Sequence, residues 1–157
     1  IITLKYLYSF ALLIVLSCQS PNGLKKKKDI SKVEEISLKN NFQIFIPKKK
    51  SFVDSIVNSV SELRDLKISI EDLTKLNPNG IESFLDETLI KCDNLLNLKN
   101  KNFISRPEIR GRLKVLKINI LKCKFYNHQN DIKNLNKSLK KLFMSYNILF
   151  ERLEGLK

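Results

Sequence analysis

The sequence predicts an all-α fold: a small antiparallel bundle of about four helices, the first of them divisible in two. Three observations carry this reading. Apolar residues recur every third or fourth position along several long segments, which lines them up on one side of a helix. Residues suited to helix starts stand just ahead of those segments. Gly is only 4 of 157 residues, against roughly 7% in average proteins, which disfavours turn-rich folds and Gly-rich phosphate loops. Hydrophobic residues at 43% and charged residues at 29% fit a globular chain rather than a disordered one.

The N-terminal region reads as a targeting segment. Lys5 precedes an apolar run from Tyr6 to Leu16. That run is shorter than the roughly 20 residues a membrane-spanning helix needs, and it has the length of a signal-peptide hydrophobic region. Val15-Leu16-Ser17-Cys18 follows the order of an aliphatic residue, a tolerated residue, a small residue and then Cys. This resembles the lipobox of bacterial lipoproteins. The resemblance implies acylation of the Cys18 thiol, cleavage before Cys18 and acylation of the new amine. Residues 1–17 are then the signal peptide, and 18–50 are a lipidated Cys followed by a basic tether.

Gln19-Ser20-Pro21-Asn22-Gly23 is polar and turn-rich, and Lys25 to Lys28 form a run of four. Asp29 is the first acidic residue after Cys18. In lipoproteins of this kind early acidic residues often act as sorting or surface-export signals, so in a Gram-negative host their absence favours an outer-membrane protein facing the periplasm.

Next come the structured elements. Phe42, Ile44 and Ile46 alternate with other residues and stop at Pro47, which predicts one short extended segment laid against the domain. The helical domain is expected over 51–157. Its first helix offers Phe52, Val53, Ile56, Val57, Val60 and Leu63. The stripe changes phase near Lys67 and resumes at Ile70, Leu73 and Leu76, and Ser69 with Asp72 would cap a separate short helix. Asn77-Pro78-Asn79-Gly80 is a turn.

The second helix offers Ile81, Leu85, Leu89, Cys92 and Leu96, and the third offers Ile109, Leu113, Leu116, Ile120 and Cys123. The fourth offers Ile132, Leu135, Leu139, Leu142, Tyr146, Leu149 and Leu153. Ser51 with Asp54, Asn79 with Glu82 and Ser105 with Glu108 have capping-box spacing, and Pro107 suits a first turn. The link from Asn127 to Asp131 holds neither Gly nor Pro, so a bent continuous helix is the alternative there.

Charge is segregated along the chain. Residues 18–50 carry nine basic and three acidic groups; 51–98 carry four and nine; 99–157 carry fifteen and four. The expected consequence is an acidic helix packed beside a basic one. A net charge of +13 can signal nucleic acid. An exported lipoprotein does not meet it, and the joint richness in Lys, Asn and Ile reflects base composition, so no nucleic-acid partner is expected.

Few residues suit catalysis or metal binding. Cys92 and Cys123 would differ in height by roughly 13 Å in an antiparallel pair, beyond disulfide reach, so buried free thiols are expected. No CxxC site exists. The sole His, His128, lacks a nucleophile and orienting partner and reads as an exposed loop residue. Glu82 and Asp86 share a helix face and read as solvated. No metal, cofactor or catalytic site is expected.

One cluster remains. Arg106, Arg110 and Lys114 share a helix face, with Arg112 and Lys117 beside it. Cations in a first turn oppose the helix dipole. Glu108 four residues before Arg112 and the acidic face of the second helix are the expected compensation. The functional alternative is an anion site for a lipid headgroup, phosphate or acidic glycan. Gly111 within this helix would permit close approach of a neighbour.

The stretch Arg106-Pro107-Glu108-Ile109-Arg110-Gly111-Arg112-Leu113-Lys114-Val115-Leu116, together with Ser145-Tyr146-Asn147, loosely resembles small helical lipoproteins of Bacteroidota. The resemblance implies a helical lipoprotein domain and no activity. The expectation is therefore a non-catalytic, lipid-anchored envelope protein. It would hold the membrane through Cys18 and serve as an accessory or binding component, with an envelope protein as its expected partner.

Overall fold

The computed structural model describes residues 42–76, 80–98 and 103–156, all within the compact unit Glu34–Lys157. The predicted signal peptide, Cys18, the Lys25–Lys28 run and Asn77–Asn79 lie outside the described residues.

Five helices follow one another: α1 Lys50–Asn58, α2 Ser61–Leu73, α3 Ile81–Asn97, α4 Pro107–His128 and α5 Ile132–Glu154. The described residues contain no strand. The count exceeds the expected four because the first helix divides, and it divides at Ser59–Val60 rather than near Lys67. From Val57 through Val60 and Leu63 to Leu66, buried positions come at successive intervals of three. On one straight helix each such step would rotate the stripe by about 60°. Val60 resets the phase. It adopts extended φ −134° and ψ 105° while its side chain stays buried. Ser69 caps nothing; it lies inside α2 and shares a 2.7 Å buried hydrogen bond with Thr88 of α3.

The predicted capping boxes do not form at Ser51 and Ser105. Lys49 occupies the cap position of α1 and Arg106 that of α4, neither with a side-chain cap. Pro107 explains the second case. A proline drives the residue before it out of the helical region, and Arg106 sits at φ −62° and ψ 134°. The helix therefore begins at Pro107, one residue too late for Ser105.

The α4–α5 link is a true break. Asn130 has φ 53°, a left-handed conformation that Asn tolerates better than most residues. Asp131 N–H donates to the Tyr126 carbonyl and Asn130 N–H to the Asn127 carbonyl, both at 3.0 Å. This is the paired bonding of a Schellman stop. Asp131 then starts α5 by accepting from Asn134 N–H at 3.0 Å. Stop and start share three residues, with no need for Gly or Pro.

The helices close into a ring. Each packs on its neighbour in sequence, α1 and α2 across the Val60 break, and α1 also packs on α5. The core runs from Val53 to Leu153. All five expected α4 positions and six of the seven expected on α5 are buried; Ile132 is half exposed. Leu66, Leu95, Phe143 and Phe150 join the core beyond the predicted stripes. The described core lies within the compact unit Glu34–Lys157.

The segment before α1 has no regular secondary structure and is pinned to α5. Phe42 stacks on Phe143 with ring centroids 4.7 Å apart. Asn147 accepts from Phe45 N–H and donates to the Gln43 carbonyl, both at 2.8 Å. One amide side chain thereby binds the segment as a neighbouring strand would. Ile46 is not part of the inner face: it is 84% exposed, while Phe45 packs against the core.

Candidate functional site

The α4–α5 hairpin carries the chemistry worth weighing. Between Ile109 and Phe150 stand ten Lys and Arg residues and one acid, Asp131. The hairpin is held internally by Asn119, whose Nδ2 donates to the Lys141 carbonyl at 3.3 Å and to Ser145 Oγ at 3.2 Å. Ser145 in turn donates to the Leu142 carbonyl at 2.7 Å.

The acidic helix does pack beside the basic one. Asp93 of α3 pairs with Lys117 of α4 at 2.6 Å, and Asp86 pairs with Lys124. These pairs run in opposite senses along the two helices, which confirms their antiparallel packing. They correct one expectation, because α3 compensates Lys117 and Lys124 rather than Arg106 and Arg110. The antiparallel register of these two pairs puts Arg110 at or past the C-terminal end of α3 and Arg106 beyond it, out of reach of Asp86 and Asp93.

Arg106, Arg110 and Lys114 consequently have no ion pair among the described residues, and neither does the expected Glu108–Arg112 pair form there. Arg106 and Lys114 are exposed and Arg110 is half buried.

A concave site lies round the side of α4. A cleft of about 540 Å³ is lined by Pro107, Glu108, Gly111, Arg112 and Val115 of α4 and by Arg152 of α5. It brings Arg112 and Arg152 to one opening from positions 40 apart in sequence. Arg152 carried no signal in the sequence, since only the antiparallel register of α4 and α5 makes it a neighbour. Gly111 borders this cleft. A Cβ there would meet nothing within 4 Å, so close helix approach does not require the glycine.

Neither a family model, a curated protein nor a solved structure matches the chain significantly.

The remaining reactive groups are sequestered or isolated. Cys92 and Cys123 are free and buried, as their spacing predicted. Desolvation raises both thiols to about 12; for Cys92 the Asp93 charge adds to the effect and Lys117 opposes it. Cys92 Sγ donates to the Leu113 carbonyl at 3.7 Å. His128 is exposed, as expected, but forms the last residue of α4 rather than part of the loop. Asp86 is paired across to α4 rather than simply solvated beside Glu82. Among the described residues no three His, Cys, Asp or Glu side chains gather as a metal ion would need. No described helix is long and apolar enough to cross a membrane.

Proposed function

We propose that this chain is a non-catalytic, lipid-anchored protein of the bacterial cell envelope, an accessory or binding component held at the membrane through Cys18. The observation that carries the reading is Val15-Leu16-Ser17-Cys18 directly after the Tyr6–Leu16 apolar run. Several acyl chains on one residue anchor a protein in effect permanently. The helical unit supports a holding role. Its polar interior groups tie helices together, and its two described thiols are shielded from solvent. The absence of acidic residues from Cys18 to Lys28 favours the periplasmic face of the outer membrane.

Fatty-acid labelling tests this. The wild-type protein takes up label and fractionates with membranes, and Cys18→Ala abolishes uptake. Wild-type protein recovered unlabelled from the cytosol, with residues 1–17 intact, sinks the reading.

The Arg112–Arg152 cleft favours a second reading, a module that binds an anionic ligand such as a headgroup, phosphate or acidic glycan. Paired guanidinium groups suit such oxyanions, and Arg106, Arg110 and Lys114 add unpaired charge nearby. Titration with lipopolysaccharide or inorganic phosphate distinguishes the two arginine sets: Arg112→Gln with Arg152→Gln loses binding if the cleft is the site. Unchanged binding in that variant and in Arg106→Gln with Arg110→Gln excludes the reading.

A further inference from the structure

The solvent face of α4 is unusual in being apolar as well as basic. Val115, Ile118, Leu121 and Phe125 follow one another at intervals of three, three and four and are 45%, 50%, 44% and 59% exposed. The inward stripe of α4, from Ile109 to Cys123, is a separate set of residues on the opposite side. The helix is therefore apolar on two faces, although only one meets the core. The Asn119 register places Val115 level with Ile148 of α5 and Ile118 level with Met144. Ile148 and Met144 are 39% and 54% exposed. Around these six stand Arg110, Lys114 and Lys122 on α4 and Lys137 and Lys141 on α5, none with an ion pair among the described residues. Of the acids, Glu108 lines the cleft, Glu151 follows Ile148 by three residues on α5, and Asp93 and Asp86 are already paired with Lys117 and Lys124 on the flank of α4 that faces α3.

We infer that this outer face of the α4–α5 hairpin seats the helical unit on an anionic lipid bilayer, with Ile118, Leu121 and Phe125 entering the acyl boundary and the surrounding lysines at the headgroups. Bulky apolar side chains framed by lysine and arginine are the chemistry of an interfacial surface. A second copy is a poor occupant, because two such faces would oppose like charges. Nucleic acid would complement the charge but offers Ile118 and Leu121 nothing apolar to enter. The inference rests on the proposed membrane anchoring. Phe42 lies 24 residue steps after Cys18, so a lipidated Cys18 keeps the unit within roughly 85 Å of the bilayer at full extension.

The test separates the face from the anchor. The unit Glu34–Lys157, which contains the described core and lacks Cys18 and the Lys25–Lys28 run, is mixed with phosphatidylcholine vesicles with or without about 30 mol% phosphatidylglycerol. It binds the anionic vesicles and not the neutral ones. Ile118→Ser, Leu121→Ser and Phe125→Ser combined weaken binding at least about 10-fold with an unchanged circular-dichroism melt. Lys114→Gln and Lys122→Gln each weaken it about 5-fold and flatten its salt dependence. Equal binding by the triple-Ser variant, no binding by the wild-type unit, or a salt-stable dimer lost in the triple variant overturns the inference. A gel shift on RNA that is stronger than vesicle binding does so as well. Fatty-acid labelling of the full chain reads the anchor separately: label without vesicle binding defeats the face alone, and vesicle binding without label defeats the anchor alone.

Discussion

Tyr146 of α5 donates its hydroxyl to Glu71 Oε1 of α2 at 3.2 Å, and the same oxygen holds Lys67 Nζ at 2.7 Å. Tyr146 is the middle of three consecutive residues that each reach a different neighbour. Ser145 meets Asn119 of α4, Tyr146 meets α2, and Asn147 binds the segment before α1 at Gln43 and Phe45. Successive residues on a helix point about 100° apart, so one turn of α5 ties down three parts of the ring. The Ser145-Tyr146-Asn147 run noted in the sequence is thus a structural junction.

Tyr146→Phe keeps the buried ring and its packing against Phe150 and removes only the hydroxyl. Glu71 retains Lys67 and partial solvent access, so no charge is stranded. A loss of about 1–2 kcal/mol is expected by urea denaturation. Tyr146→Leu should cost more, because the ring's packing goes too.

The left-handed Asn130 makes the α4–α5 link sensitive to side-chain shape. Asn130→Gly should leave stability equal or slightly higher, whereas Asn130→Val should lower it by about 1–2 kcal/mol. Thermal melts of the two variants check this, and equal melts would mean the link is not a Schellman stop.

Asp131 carries a pH signature. Hydrogen bonds from the Asn134 backbone and then from its side chain hold the carboxyl below the usual carboxylate range. A depressed folded pKa contributes stability that is present above the unfolded value of about 3.9 and lost as pH falls through the lower folded value. Asp131→Ala should therefore flatten the acid limb of the stability profile below about pH 4 and leave the alkaline limb unchanged.

The buried thiols act at the other end of the scale. Burial raises Cys92 and Cys123 to about 12, above an unfolded value of about 8.5. Their contribution is complete below about 8.5 and declines as pH rises toward 12, because only the unfolded chain ionises freely. Both thiols should resist a thiol reagent at about pH 8 in the folded protein and react promptly in denaturant.

Gly111 has open space at its absent Cβ and lies inside α4. Gly111→Ala should stabilise the fold by about 0.5–1 kcal/mol. Destabilisation instead would show that the cleft side of α4 is more crowded than the geometry allows.

The stripes were legible wherever packing is one-sided and periodic. Ile109, Leu113, Leu116, Ile120 and Cys123 could be placed in the core from spacing alone, because a helix face has no other way to hide them. The start signals misled at Ser51 and Ser105. A capping side chain competes with whatever fixes the chain nearby, and Pro107 dictated where α4 begins. The division at Val60 was partly legible, as a change of phase, but its position depended on which residues the ring would bury.

By itself the sequence determined the helical class, the apolar stripes, the unpaired thiols and the segregation of charge, since each follows from local periodicity or from distance along a helix. Only the tertiary structure decided which acids meet which bases, that Arg112 and Arg152 share an opening, and that one face of α4 stays uncovered while carrying Ile118, Leu121 and Phe125. Those facts depend on register between helices far apart in the chain, and register is set by the whole ring closing at once.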